Sequence, residues 1–141
     1  MYIKGRGKNA LIISIVWIII PIITAAYILS GRIGNEMIIL MLISAMFHFL
    51  GVIVYTGSYE AVAGFNTMSD EEIRGYDMKK LTSFLGISWV IGSYVYFFTL
   101  MVCLEVTNIG NSIVYSILII LAIILTSSIY SGVGKRFKAQ N

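Results

Sequence analysis

Side chains able to do chemistry are few in this chain, and their spacing limits what they can do. His48 is the only histidine, and it stands inside an apolar run, MIILMLISAMFHFLGVIVYTGS. An ionisable group inside a membrane is a functional candidate by default, here as a proton relay. A relay needs further titratable partners at membrane depth, and the apolar runs offer none. The structural alternative is a neutral imidazole bonded to a Tyr or Ser of a neighbouring helix. Ser44, His48 and Tyr55 therefore form the candidate intramembrane polar site. Six of the seven acids lie between Glu36 and Lys80, five of them in the loop at 59–80, which contains no histidine. Metal sites and acid–base pairs are built from His, Cys, Asp and Glu in combination. We therefore expect no catalytic set, no cofactor-binding residues and no metal site, and no enzyme. Cys103 is the only cysteine, so no intramolecular disulfide can form; in an apolar run it reads as a small hydrophobe.

The elements that hold these residues are membrane helices. Of 141 residues, 58% are hydrophobic and 12% charged, and mean hydropathy is +0.89. Soluble domains carry about 25% charged residues. Four apolar runs of about 20 residues or more predict an all-α integral membrane protein with four helices, in a single domain. The spans are expected at about 10–30, 37–58, 81–104 and 112–133, each long enough for a hydrocarbon core of about 30 Å. The first run is longer than a signal-peptide core and lacks a good cleavage site, so it is expected to remain uncleaved. Pro21 lies at its middle and is expected to kink it.

Charge placement predicts orientation. With both termini inside, residues 1–9, 59–80 and 134–141 hold nine Lys and Arg, whereas the outer turns hold only Arg32. This bias predicts N- and C-termini in the cytoplasm of a plasma-membrane protein. The formal net charge of +3 comes from bases flanking the spans, which is membrane chemistry and not nucleic-acid binding.

Two polar stripes predict which helices touch. Met37, Met41, Ser44, His48, Gly51, Tyr55 and Ser58 share one face of span two. Thr82, Gly86, Trp89, Ser93, Tyr96, Leu100 and Cys103 share one face of span three. Small and hydroxyl residues let membrane helices approach closely, so spans two and three are expected to pack through these faces. Ser127/Ser131 and Ser128/Gly132 offer similar spacing in span four.

The loop at 59–80 carries its own signals. Ser69-Asp-Glu-Glu72 is a capping-box pattern, with Asp70, Glu71 and Glu72 at the positive end of a helix dipole. A short cytoplasmic amphipathic helix is expected over about 70–80, running into span three, with Gly75 as its weak point. Asn66-Thr67 before it is turn chemistry. The segment GFNTMSDEEIRGYDMKKLTSFLG, residues 64–86, resembles the signature of a family of small prokaryotic membrane proteins known as domain of unknown function 3784. The match falls on Gly64, Asn66, Thr67, Met68, Ser69, Glu71, Glu72, Tyr76, Asp77, Lys79, Leu81, Phe84 and Gly86. Phe65 stands where the family more often has Tyr. The family usually has about three spans, so the resemblance implies that span one is an addition. It implies a membrane protein with a characteristic loop and brings no activity with it.

These readings favour a non-enzymatic accessory, immunity or partner-binding module. Gly64, Asn66, Thr67, Ser69, Glu72, Tyr76 and Asp77 form the candidate partner or ligand loop, because loops carry function disproportionately. The expected partners are the lipid bilayer and another membrane protein or a second copy of the chain. The competing reading is a small transporter or channel acting as a homo-oligomer, with His48 and the stripe residues along its path.

Overall fold

Four long helical stretches follow the four apolar runs. A computed structural model describes residues 6–31, 36–61, 68–106, 109–132 and 137–138. The elements are α1 (Arg6–Trp17), α2 (Ile19–Leu29), α3 (Glu36–Thr56), a 3-10 turn (Tyr59–Ala61), α4 (Asp70–Arg74), α5 (Met78–Val106) and α6 (Ile109–Gly132). Arg6–Leu29, Met37–Thr56 and Met78–Val106 are each long and apolar enough to cross a membrane. α6 spans 24 residues and includes the apolar stretch Val114–Thr126. The protein is an all-α membrane protein. Large apolar side chains such as Leu11, Ile22, Leu42, Ile91 and Leu118 are exposed on its outer faces, as expected where the solvent is hydrocarbon and backbone polar groups are satisfied within helices.

The first span is interrupted where its proline requires. Pro21 has no N–H, so the Trp17 carbonyl loses its usual donor four residues on, and the proline ring crowds that carbonyl. The helix breaks at Ile18, between α1 and α2, where the Ile18 N–H turns back to the Ile15 carbonyl at 3.1 Å.

α3 and α5 form the main interface, through the two stripes that the sequence marks. Met37, Ser44 and His48 on α3, and Ser93, Tyr96 and Leu100 on α5, are fully buried. The Ser44 hydroxyl donates across the interface to the Ser93 carbonyl at 2.9 Å. The closest approach lies at two glycines. A Cβ on Gly86 would stand 2.5 Å from the Tyr55 backbone nitrogen and 2.6 Å from its Cα. A Cβ on Gly51 would stand 2.9 Å from both the Gly86 carbonyl oxygen and the Val90 nitrogen. Backbone therefore lies directly on backbone, the geometry that small residues permit between membrane helices.

Two apolar clusters lie along this interface. One joins Ile20 of α2, Met37 and Leu40 of α3, and Tyr96, Phe97 and Leu100 of α5. The other joins Val54 of α3, Leu81 and Leu85 of α5, and Phe137 of the C-terminal tail. α6 packs on α5, where Tyr96 Oη and Ser116 Oγ are hydrogen-bonded at 2.7 Å. The side chains of Ser127, Ser128 and Ser131 lie outside the described residues.

The helix expected over 70–80 is shorter than the sequence implies. α4 ends at Arg74, and the Gly75 N–H returns to the Glu72 carbonyl at 3.1 Å. Tyr76 instead pairs with Lys138 in an antiparallel bridge. α5 then starts afresh at Met78, with the Asp77 carboxylate accepting the Lys80 N–H at 3.0 Å, an N-cap bond to the third helical residue. A cap at Asp77 and a strand-like contact at Tyr76 win over helical continuity.

The Gly86 contact yields a test. Gly86→Ala must separate two backbones, and overpacking of this kind costs about 1–3 kcal/mol. Gly92→Ala meets only the side chain of Ile123, at 3.1 Å, which can yield. Thermal unfolding in mild detergent should show a clear loss for Gly86→Ala and a smaller one for Gly92→Ala; equal midpoints for Gly86→Ala and the parent would refute the close approach.

Candidate functional site

One end of the α3–α5 pair gathers polar groups from segments far apart in sequence. The Arg6 guanidinium, at the start of α1, donates to the Tyr55 carbonyl at 2.8 Å and to Thr82 Oγ1 at 3.0 Å. Its other terminal nitrogen donates to the Lys79 carbonyl. The guanidinium carbon stands 4.9 Å from the centre of the Tyr55 ring, a cation–π distance. Thr82 passes the chain on, donating to the Met78 carbonyl at 2.7 Å.

The arrangement follows from local structure. Tyr55 lies in the last turn of α3, where carbonyls have no intrahelical donor and the helix dipole favours a cation. The Gly51–Gly86 approach brings that turn beside the first turns of α5. A planar guanidinium with five donors can then reach both helices at once. Sequence reasoning assigned Arg6 only to charge flanking the first span. Nothing in its spacing distinguishes it from Lys4 or Lys8.

The C-terminal tail closes the same end. Phe137 is buried against Val54, Leu81 and Leu85, with its ring 5.6 Å from that of Phe84. Its carbonyl accepts the Asp77 N–H at 2.6 Å. A lone Phe within GKRFKAQN was the available signal, overshadowed there by the surrounding bases.

Beside this junction α4 is held by its capping box. Ser69 Oγ accepts the Glu72 N–H at 3.3 Å, and a Glu72 carboxylate oxygen accepts the Ser69 N–H at 2.8 Å. The same carboxylate lies 3.0 Å from Ser69 Oγ. These bonds, the backbone bond first, hold the Glu72 carboxyl below its ordinary pKa. Of the loop residues singled out by sequence, Ser69, Glu72, Tyr76 and Asp77 thus lie in or next to this end. Gly64, Asn66 and Thr67 lie outside the described residues.

The intramembrane trio is not brought together. Ser44 is engaged with Ser93, and Tyr55 belongs to the Arg6 junction. Ser44 and Tyr55 are eleven positions apart on α3, about 16 Å along the axis. His48 is fully buried between them, among rings: Trp17 at 5.4 Å, Phe49 at 5.8 Å and Tyr94 at 6.0 Å between centroids. Among the described residues neither imidazole nitrogen has a hydrogen-bond partner, and neither does Trp17 Nε1. The bond to a neighbouring Tyr or Ser expected from sequence is not formed. The nearest hydroxyl on the stripe, Ser44, gives its one proton to the Ser93 carbonyl, and the imidazole meets aromatic faces and edges. Among the described residues no group of His, Cys, Asp and Glu is placed to hold a metal ion.

Residues 39–135 match the model of a family described as Domain of unknown function (DUF3784). The chain belongs to this family. No curated protein and no solved structure matches it. The family match begins inside α3, so Arg6–Leu29 falls outside it. The junction therefore joins residues inside the family region, Tyr55, Lys79 and Thr82, to an arginine outside it.

Three outcomes follow. Arg6→Ala should cost about 1–2 kcal/mol of stability, and Arg6→Lys should recover less than half of it, because one ammonium nitrogen cannot span acceptors that the guanidinium reaches from two separate nitrogens; full recovery by Lys would reduce the junction to charge alone. His48→Phe should leave the thermal midpoint equal or higher, since it removes two unpaired buried nitrogens, and a large fall would show that the imidazole is bonded after all. Glu72 has a lowered folded pKa, so the capping contribution is full above the ordinary carboxylate range and is lost as pH falls through the lowered value. NMR titration should place the Glu72 midpoint below that of an exposed glutamate, and Ser69→Ala should raise it part of the way; an ordinary midpoint in the parent protein would contradict the cap.

Proposed function

We propose that the protein is a non-enzymatic partner-binding module of the plasma membrane, an accessory or immunity protein that engages another membrane protein at its loop-bearing end. In this reading four spans place both termini and the 59–80 loop in the cytoplasm, as the distribution of Lys and Arg favours.

One observation supports the reading above others. α4 buries no side chain, yet its backbone is fixed by a reciprocal capping box, by Gly75 and by the neighbouring Tyr76–Lys138 bridge. A segment that adds nothing to the core but is held in a defined conformation presents a surface. Asp70, Glu71 and Arg74 are exposed on it. Polar groups fixed on a rigid support at a loop suit recognition of a partner.

The transporter reading draws on His48, whose buried imidazole is unbonded among the described residues. Its neighbours are aromatic rings, which include the Tyr94 phenol but no second histidine or carboxylate for a relay.

Native mass spectrometry after mild detergent extraction discriminates the two. The proposal expects a stable complex with a different membrane protein, lost on Asp70→Lys/Glu71→Lys while the thermal midpoint is retained. A defined homo-oligomer that conducts ions or protons in vesicles would overturn the proposal in favour of a transporter.

A further inference from the structure

A groove runs along the outer face of the α5–α6 pair, away from the α3 interface. It encloses about 510 Å³, within the usual range of ligand sites, roughly 300–1,000 Å³. Phe84, Ser88, Ile91, Gly92 and Val95 line it from α5, and Ile119, Ala122, Ile123 and Thr126 from α6. Its floor is the contact of Gly92 with Ile123. The lining is almost wholly apolar, so the occupant inside it is hydrocarbon.

Length and charge choose between a lipid chain and a partner helix. From Phe84 to Val95 the groove covers eleven helical positions, about 16 Å. That is the hydrocarbon depth of one leaflet, about half of a 30 Å core. A spanning helix of a partner would need a furrow about twice as long. The Phe84 end opens at a cationic mouth. Lys80 is exposed one helical turn before Phe84, on the same stripe as Phe84, Ser88, Ile91 and Val95. Lys138 is exposed at the same end, next to Phe137, whose ring stands 5.6 Å from Phe84. The nearby acid, Asp77, uses a carboxylate oxygen to cap the Lys80 N–H.

We infer that this groove is a binding site for an anionic phospholipid, with one acyl chain along Phe84–Val95 and the phosphate at Lys80 and Lys138. An apolar slot one leaflet deep, ending at two exposed lysines, matches a lipid with a negative headgroup in both chemistry and dimension. The site depends on membrane embedding and not on the proposed partner role, and the α4 variants above leave it untouched.

The test is lipid titration of the full chain in detergent, read by native mass spectrometry. The probes are phosphatidylglycerol and phosphatidylcholine with identical acyl chains. The parent protein should retain phosphatidylglycerol about tenfold better. Lys80→Gln/Lys138→Gln should reduce that ratio to about one while leaving phosphatidylcholine binding unchanged. Ala122→Phe, which fills the groove, should weaken both lipids with the thermal midpoint retained. Equal binding of the two lipids by the parent overturns the inference. So does a preference that survives the lysine replacements, or a homodimer that excludes lipid from the groove. The lysine variant is a surface change, so its result stands even if Ala122→Phe misfolds.

Discussion

The backbone contact between α3 and α5 at Gly51 and Gly86 is the constraint on which the rest depends. In a membrane, apolar side chains gain nothing by leaving lipid for one another, so association rests on packing and on bonds between helices. The missing side chain of Gly86 lets the Tyr55 backbone lie against α5. That approach brings Ser44 within reach of the Ser93 carbonyl. It also aligns the last turn of α3 with the first turns of α5, so that one guanidinium can bond to Tyr55, Lys79 and Thr82. Val54, Leu81 and Leu85 meet across the same seam and form the seat for Phe137. The interface is thus closed by glycine, fastened by Arg6 and covered by the tail.

Much of this was legible in the sequence, for identifiable reasons. Apolar runs of membrane length give the helices, because hydrocarbon permits few alternatives. The stripes of small and hydroxyl residues mark the α3–α5 faces, because a periodicity of three and four residues is a geometric property of the helix. Ser69-x-x-Glu72 gives its capping box, because both partners lie within one turn. Interactions between distant segments were not legible. Arg6 bonds to acceptors that are mostly backbone carbonyls, which leave no residue-type signature. Phe137 and the Tyr76–Lys138 bridge bring the tail back to the loop, and that bridge, with the Asp77 cap, ends α4 early. His48 differs for another reason: its stripe position is as expected, but its potential hydroxyl partner on the stripe is used by Ser93.

These contacts give a structural asymmetry to a molecule that hydropathy alone makes uniform. The groups fixed without being consumed by the core gather at one end: α4, Asp77, Lys138 and the mouth of the α5–α6 groove. Toward the other end, Ile20, Met37, Leu40, Tyr96, Phe97 and Leu100 form a conventional apolar cluster. The Arg6 junction ties the first span, which lies outside the family match, to two helices inside it. The first span thereby braces the loop-bearing end.

The central claim, that the glycine crossing positions the Arg6 junction, is tested most directly by a double-mutant cycle on unfolding in detergent. Gly86 and Arg6 share Tyr55 as their contact, through its backbone nitrogen and Cα on one side and its carbonyl and ring on the other. Residues with a shared partner couple by about 0.5 kcal/mol or more. Once Gly86→Ala has parted the helices, Arg6→Ala should cost less than it does in the parent protein, by at least about that amount. Strictly additive losses would contradict the account, because the junction would then form without the crossing.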